Sequence, residues 1–223
     1  MAAAMITHLL WDWNGTILDD LDVVVDVMNR LLQAKDLPLL DRDRYRTVFD
    51  FPVRDYYARL GFGPEHGSFE EWAREFVDEY DRRARDIPVR PQARRMLARL
   101  RDAGLRQVVL SAARADHLRE LVALNDLDAY FEELVGLDDH YAHGKLDVAR
   151  AWLARTGHDP AGLLMVGDTI HDYEVACGIG AACVLVADGH HDEARLRACG
   201  CAVVAELDEL YTADTPVRAL LGA

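Results

Sequence analysis

The chain has 223 residues, 51% of them hydrophobic and 29% charged, which suits one core with an inserted segment and excludes a disordered chain. A formal net charge of −14 argues against a nucleic-acid backbone or an anionic membrane as partner, so an anionic ligand must be held by local positive charge. Four cysteines (Cys177, Cys183, Cys199, Cys201) lack CxxC spacing, "MAAAM" is too short for a targeting segment, and no apolar run is bilayer-long. A cytoplasmic protein with reduced, mostly buried thiols is expected.

In chain order, Ile6–Trp11 is an apolar run that reads as a first strand and delivers Asp12 onto a turn marked by Gly15 and Thr16. From Leu18 to about Pro88 nothing reads as a strand. Leu21, Val24, Val25, Met28, Leu31 and Leu32 recur at helical spacing, and "SFEEWAREFVDEY" opens with Ser68 and Glu71 in capping-box register. This predicts a helical insertion with hinges near Ile17–Asp19 and Asp86–Pro91.

After it, helices alternate with Val- and Leu-rich strands. "PQARRMLARLRDAG" has Pro91 suited to a helix start and Gly104 to its stop, and helices are predicted over His117–Asn125 and Leu146–Thr156, the latter closed by Gly157. The strand candidates are Gln107–Leu110, Glu133–Gly136, Leu163–Val166, Ala182–Val186 and Ala202–Val204, with the little polar alternation expected of parallel strands buried on both faces. The predicted fold is α/β, a doubly wound parallel sheet of Rossmann type with an all-helical cap: a core of residues 1–17 and 88–223, and a cap of residues 18–87. An insertion after the first strand's carboxyl end sits over the crevice where such sheets bind ligands.

Four pieces fall at predicted strand ends: "DWNGT" at Asp12, "VVLSA" at Ser111, "GK" at Lys145 and "VGDTIHD" at Asp168 to Asp172. A carboxylate on a turn of free backbone N–H groups can attack a phosphorus whose oxygens those amides hold. Asp12 and Asp168, with a backbone carbonyl and waters, suit Mg²⁺, a hard ion that also screens an anionic nucleophile from an anionic substrate. Lys145 is one of only two lysines among 25 basic residues, and it offers a point charge that arginine does not imitate. Ser111 offers a hydroxyl to a phosphoryl oxygen. Helix capping is the plainer role for Ser111 and Asp172, and solvent exposure at a helix start the plainer one for Lys145.

Together and in this order, the four pieces resemble those of the haloacid dehalogenase superfamily, in the phosphoglycolate phosphatase-like branch with a helical cap after the first strand. The resemblance implies Asp12 as nucleophile and metal ligand, Asn14 as a main-chain carbonyl ligand, and Asp168 as the other protein ligand. It places Asp172 beside the metal, directly or through water, and assigns the phosphoryl group to Ser111, Ala112 and Lys145. Trp13 and Arg54 are weaker candidates for substrate contact. Among the histidines, His140, His143 and the pair His190–His191 are expected on loops or the surface, and His171, between Asp168 and Asp172, is the one to watch.

The departure from the family pattern is Asn14, where the phosphatases carry an aspartate that protonates the leaving group and then activates water. An amide transfers no proton, and general acid–base catalysis is worth ~10²–10⁴-fold. The expected function is an Mg²⁺-dependent phosphatase acting on a small phosphorylated metabolite through an aspartyl-phosphate, as a monomer or homodimer with no nucleic-acid or membrane partner. Two alternatives are another hydrolase of the superfamily and a weakly active phosphate-binding or assembly protein. A phosphonatase needs a cap lysine, for which only Lys35 is present, and a dehalogenase needs no metal.

Overall fold

The computed structural model describes residues 6–137, 144–211, 215 and 217. Its strands are β1 (His8–Trp11), β2 (Arg106–Arg114), β3 (Glu133–Leu137), β4 (Leu163–Gly167), β5 (Ala182–Val186) and β6 (Ala202–Val204). They pair in parallel in the order β3-β2-β1-β4-β5-β6. Successive side chains of a strand point to opposite faces. Leu9 and Trp11 of β1 therefore join Val109, Leu164 and Val166 in one buried cluster, while Leu10 joins Val108, Leu110, Leu163 and Met165 in another. Two buried faces need two helix layers. Helices α5 (Pro91–Asp102) and α6 (Ala115–Leu124) cover the first, and α7 (Lys145–Thr156) and α8 (Ile170–Ile179) the second. A further short helix, α9 (Glu193–Arg197), precedes β6.

Strand order reverses at β1, whose neighbours β2 and β4 follow it in the chain on either side. A crevice opens at the carboxyl ends of strands at such a switch point. Trp11 pairs with Val166, and the Asp12 amide donates to the Val166 carbonyl at 2.9 Å. That register sets Asp12 and Asp168 side by side past the strand ends.

Between β1 and β2 lie α1 (Leu21–Ala34), α2 (Arg42–Val48), α3 (Val53–Arg59) and α4 (Phe69–Ala84). The apolar side of α1 predicted from spacing is buried, and it packs with Tyr45, Tyr56, Tyr57 and Trp72 into a cluster separate from those flanking the sheet. The Ser68–Glu71 capping box forms at the start of α4. The chain enters and leaves this helical segment side by side. Leu18 bridges Val89 antiparallel, the Asp19 amide donates to the Pro88 carbonyl at 3.0 Å, and the Arg90 amide to the Ile17 carbonyl at 2.9 Å.

Two differences from the sequence reading stand out. Strand β2 runs on to Arg114, past the expected end at Leu110, with its register against β3 shifting between those residues. The cysteines are free thiols, but Cys177 is exposed and Cys183, Cys199 and Cys201 are half-buried, because none lies at the centre of a buried strand. No helix among the described residues is long and apolar enough to cross a membrane.

Candidate active site

Asp12, Asp168 and Asp172 are buried beyond the ends of β1 and β4, and one carboxylate oxygen from each lies within 4.8 Å of the other two. Asp168 is held by its surroundings: Thr16 Oγ1 donates to Oδ1 at 2.8 Å and the His190 amide to Oδ2 at 2.6 Å. Backbone has to come close for this. Gly15, at φ +75°, and Gly189 both lie where a Cβ would collide with the Asp168 carboxylate. Asp172 does two jobs. Its Oδ2 accepts from the amide of Thr169 at 3.0 Å, completing a capping box with the Thr169 side chain, while its Oδ1 accepts from Lys145 Nζ at 2.5 Å.

Lys145 begins α7 yet is only 3% exposed, which rules out a solvated helix-start residue. Its ammonium bridges Asp172 and Asp12 Oδ1. Burial disfavours its charge, but the two carboxylates reverse this and hold Lys145 protonated above the ordinary lysine range. For Asp12, burial pushes the carboxyl well up; Lys145 opposes this, and Asp172 and Asp168 add to it. Burial raises Asp168 too; at Asp172 burial is again the largest effect, but Lys145 and the Thr169 donors together prevail and lower its pKa. Three buried carboxylates thus lie together with one ammonium, which touches two of them. An all-oxygen donor set with surplus negative charge fits a hard divalent cation.

Ser111 is buried at the register shift of β2, where its Oγ accepts from the Ala113 amide at 3.0 Å. It caps no helix. Ser111 and the exposed Ala112 both line the cleft above Asp12.

Asn14 also lines that cleft, and both hydrogens of its amide nitrogen are engaged. Nδ2 donates to Asp20 Oδ2 at 2.8 Å and to the Tyr80 hydroxyl at 2.6 Å, and that hydroxyl in turn donates to Asp20 at 2.8 Å. Asp20 further accepts from the Gly15 amide at 2.7 Å and pairs with His190 Nε2 at 3.1 Å. Burial favours a neutral Asp20, but His190 and the donors from Asn14 and Tyr80 prevail and lower its pKa. A carboxylate at position 14 would face this ionised carboxylate. An amide gives it a hydrogen bond instead.

His190 and His191 lie on a loop, as expected, but are buried rather than at the surface, being 6% and 0% exposed. Burial lowers the pKa of His190, yet Asp20, with Asp168 and Asp12, raises it to about 9, and its Nδ1 lies 3.0 Å from the Tyr45 hydroxyl. Burial and Arg195 lower His191 to about 4, so it is neutral, and its Nδ1 accepts from the Ile170 amide at 3.0 Å. His171 lies on the cleft, against the Phe51 ring and 3.3 Å from Glu174. His140 and His143 lie outside the described residues.

The two weak substrate candidates do not reach the cleft. Trp13 has no exposed surface and packs in the core cluster beside β1, because the turn that exposes Asp12 points the next side chain inward. Arg54 lies over the Phe69 ring and pairs with Glu70 at 2.7 Å, a solvated ion pair. Asp20, Tyr45, Tyr80 and His190 line the cleft and escaped sequence reasoning. The adjacent "GHHD" was the only available signal, since the partners come from elements far apart in the chain.

A family model described as haloacid dehalogenase-like hydrolase matches residues 9–186. The chain belongs to that family. Among its relatives, it is 28% identical over 200 residues to "Probable phosphatase IndB" of Dickeya dadantii, covering 85% of each chain. It is also 28% identical to a phosphoglycolate phosphatase of Caulobacter vibrioides, over 83% of this chain and 81% of that one. A haloacid dehalogenase-like hydrolase of Streptococcus pneumoniae superposes with a TM-score of 0.79 at 17% identity, covering 93% of this chain and 97% of the other. The family establishes a hydrolase, and the fold is that of its α/β core.

Proposed function

We propose that this family member is an Mg²⁺-dependent phosphomonoester hydrolase working through an aspartyl-phosphate on Asp12, with residues 18–87 as a cap over a core of residues 1–17 and 88–223. The observation that carries the reading is Asp12 at the floor of a cleft, ion-paired to buried Lys145 and grouped with Asp168 and Asp172. Its phosphatase-described relatives support the same reaction class.

Asp12, Asp168 and Asp172, with the Asn14 carbonyl, would hold Mg²⁺, which when bound neutralises charge on the phosphoryl oxygens. An Asp12 carboxylate oxygen attacks phosphorus as the ester P–O bond breaks and the alcohol leaves with the bonding pair. Lys145 and Ser111 hold the transferring oxygens. Water then attacks the phosphorus of the aspartyl-phosphate, releasing phosphate and restoring Asp12. Asn14 neither protonates the alcohol nor takes the proton from water, so its side chain serves to hold Asp20 and Tyr80.

The competing hydrolases fit less well. Lys35 caps the end of α1 and does not line the cleft, leaving no cap amine for a Schiff base among the described residues. The clustered Asp168 and Asp172 argue for a metal rather than for metal-free dehalogenation. The test is phosphate release from a panel of phosphate esters, with and without chelator: Mg²⁺-dependent release supports the proposal, and turnover unaffected by chelator overturns it.

A further inference from the structure

The cleft above Asp12 holds about 1010 Å³. That is the scale of a pocket for a drug-sized ligand, far more than a two-carbon acid fills. Its floor is Asp12, Ser111 and Lys145; its walls come from the inserted segment and are mostly apolar and rich in aromatics, among them Tyr45, Phe49, Tyr56, Phe69, Phe76 and Tyr80. Several of these rings fix one another. Tyr45 stacks on Phe49 at 5.1 Å between centroids, and Phe49 meets Tyr56 edge-on at 5.2 Å. Val24, Met28 and Val53 fill between them. Rings locked in this way give a rigid apolar surface to a planar guest.

The charges on the same walls disfavour an anionic guest. Asp20, Glu70, Asp78 and Asp81 all line the cleft. The cations there are mostly engaged: Lys145 with Asp12 and Asp172, Arg114 with Asp116, His117 with Asp81 at 3.1 Å and His190 with Asp20. Arg74, the remaining lining arginine, is exposed. Apart from exposed Arg74, a carboxylate on the organic part of a substrate would therefore enter an apolar, acid-lined space without a waiting partner.

Asn14 points the same way from chemistry alone. With no proton donor at that position, an alkoxide is a poor leaving group, whereas a phenol, with a pKa near ~10, leaves readily as its anion. Pocket shape, pocket charge and leaving-group chemistry agree.

Resting on the phosphatase reading above, we infer that the substrate is the phosphate monoester of an apolar aromatic alcohol, its ring seated among the cap aromatics and its organic part free of carboxylate. Phosphoryl transfer breaks the aryl–O–P bond at phosphorus, the phenolate leaves, and water returns Asp12 and phosphate.

The test compares kcat/KM with Mg²⁺ for phenyl phosphate, 2-naphthyl phosphate, whose leaving group is similarly acidic, and 2-phosphoglycolate. Calorimetry on the same protein compares 2-naphthylmethylphosphonate with phosphonoacetate, neither of which is turned over. The second ring should raise kcat/KM about tenfold over phenyl, mainly through KM, with 2-phosphoglycolate last, and the naphthyl phosphonate should bind about tenfold tighter than phosphonoacetate. Phe76→Asp, or Val53→Asp if that variant does not fold, should bring naphthyl and phenyl within about twofold. Preference for 2-phosphoglycolate, or tighter phosphonoacetate binding, overturns the inference. Tight naphthyl phosphonate binding with no ester hydrolysed leaves the inferred guest standing and removes the phosphatase.

Discussion

The two walls of the cleft are built in opposite ways. On the sheet side, Asp12 and Asp168 are fixed by strand register, Trp11 against Val166, each one residue past a buried strand. On the helical side, Tyr45, Tyr56, Phe76 and Tyr80 come from three different helices, Phe49 follows the first of them, and they meet only through packing. The sheet side is charged and strained by its own charges; the helical side is aromatic and self-supporting. On the function proposed above, reaction chemistry resides at the switch point and choice of guest on the helical side. The Asn14–Asp20–Tyr80 hydrogen bonds tie one wall to the other.

The contrast is broken most severely at Asp12. Asp12→Asn should lower turnover by at least ~10³-fold, since it removes the nucleophile. It should leave stability unchanged or raised, because it takes one of three crowded carboxylates out of the cluster. Stopped assays together with denaturant melts check both. Lys145→Arg should lose ~10²–10³-fold in turnover, a planar fork being unable to bridge Asp12 and Asp172 from the same space. Lys145→Ala should in addition destabilise the fold by ~3–5 kcal/mol, as two buried carboxylates lose their partner. A loss of stability in Asp12→Asn as large as in Lys145→Ala would contradict the contrast.

The sheet side was legible in the sequence because its information is local. An apolar run ended at Asp12, Lys145 lay at a helix start after "HG", and "GDTIHD" followed a Val- and Leu-rich run. The two β5 and β6 spans and the Ser68–Glu71 cap were equally readable, since periodicity and capping chemistry decide them. Side-chain partners that meet across the cleft were not. Trp13 looked like a substrate contact because local sequence does not show which way a turn directs a side chain, and Arg54 because pairing with Glu70 across a helix junction is invisible in one dimension. Asn14 read as a lost carboxylate. Its reason is Asp20, and the partners that hold Asp20 come from positions 80 and 190, distances no motif spans.

The junction gives the next, smaller effect. Asn14→Asp puts a carboxylate 2.8 Å from where Asp20 now accepts a hydrogen bond. One of the pair must then keep its proton, with a raised pKa. A raised folded pKa means the substitution should destabilise by ~1–3 kcal/mol near neutrality, with the deficit shrinking as pH falls. Adding Asp20→Asn reverses donor and acceptor, and the double variant should recover at least ~1 kcal/mol in a double-mutant cycle. Additive losses would mean that Asn14 and Asp20 do not act as a pair.

The neighbouring histidines offer the mildest test. His190, raised to about 9, contributes stability that is complete below its unfolded pKa of ~6.5 and is lost as pH rises through about 9. His191, lowered to about 4, contributes stability that is complete above ~6.5 and falls away as pH drops toward about 4. Denaturation midpoints against pH should therefore lose their alkaline slope in His190→Gln and their acidic slope in His191→Gln. Identical slopes in both variants would show that neither histidine is held as described.

The central claim, a covalent phosphoryl-enzyme on Asp12 whose hydrolysis lacks help from position 14, is tested most directly by acid-quenching the Mg²⁺-loaded protein during turnover of an aryl phosphate and measuring its peptide masses. One phosphoryl group should appear on the peptide carrying Asp12 and accumulate before steady state, because Asn14 activates no water for its breakdown, and it should be absent from Asp12→Asn. Turnover with no phosphoryl group on that peptide at any quench time would contradict the account.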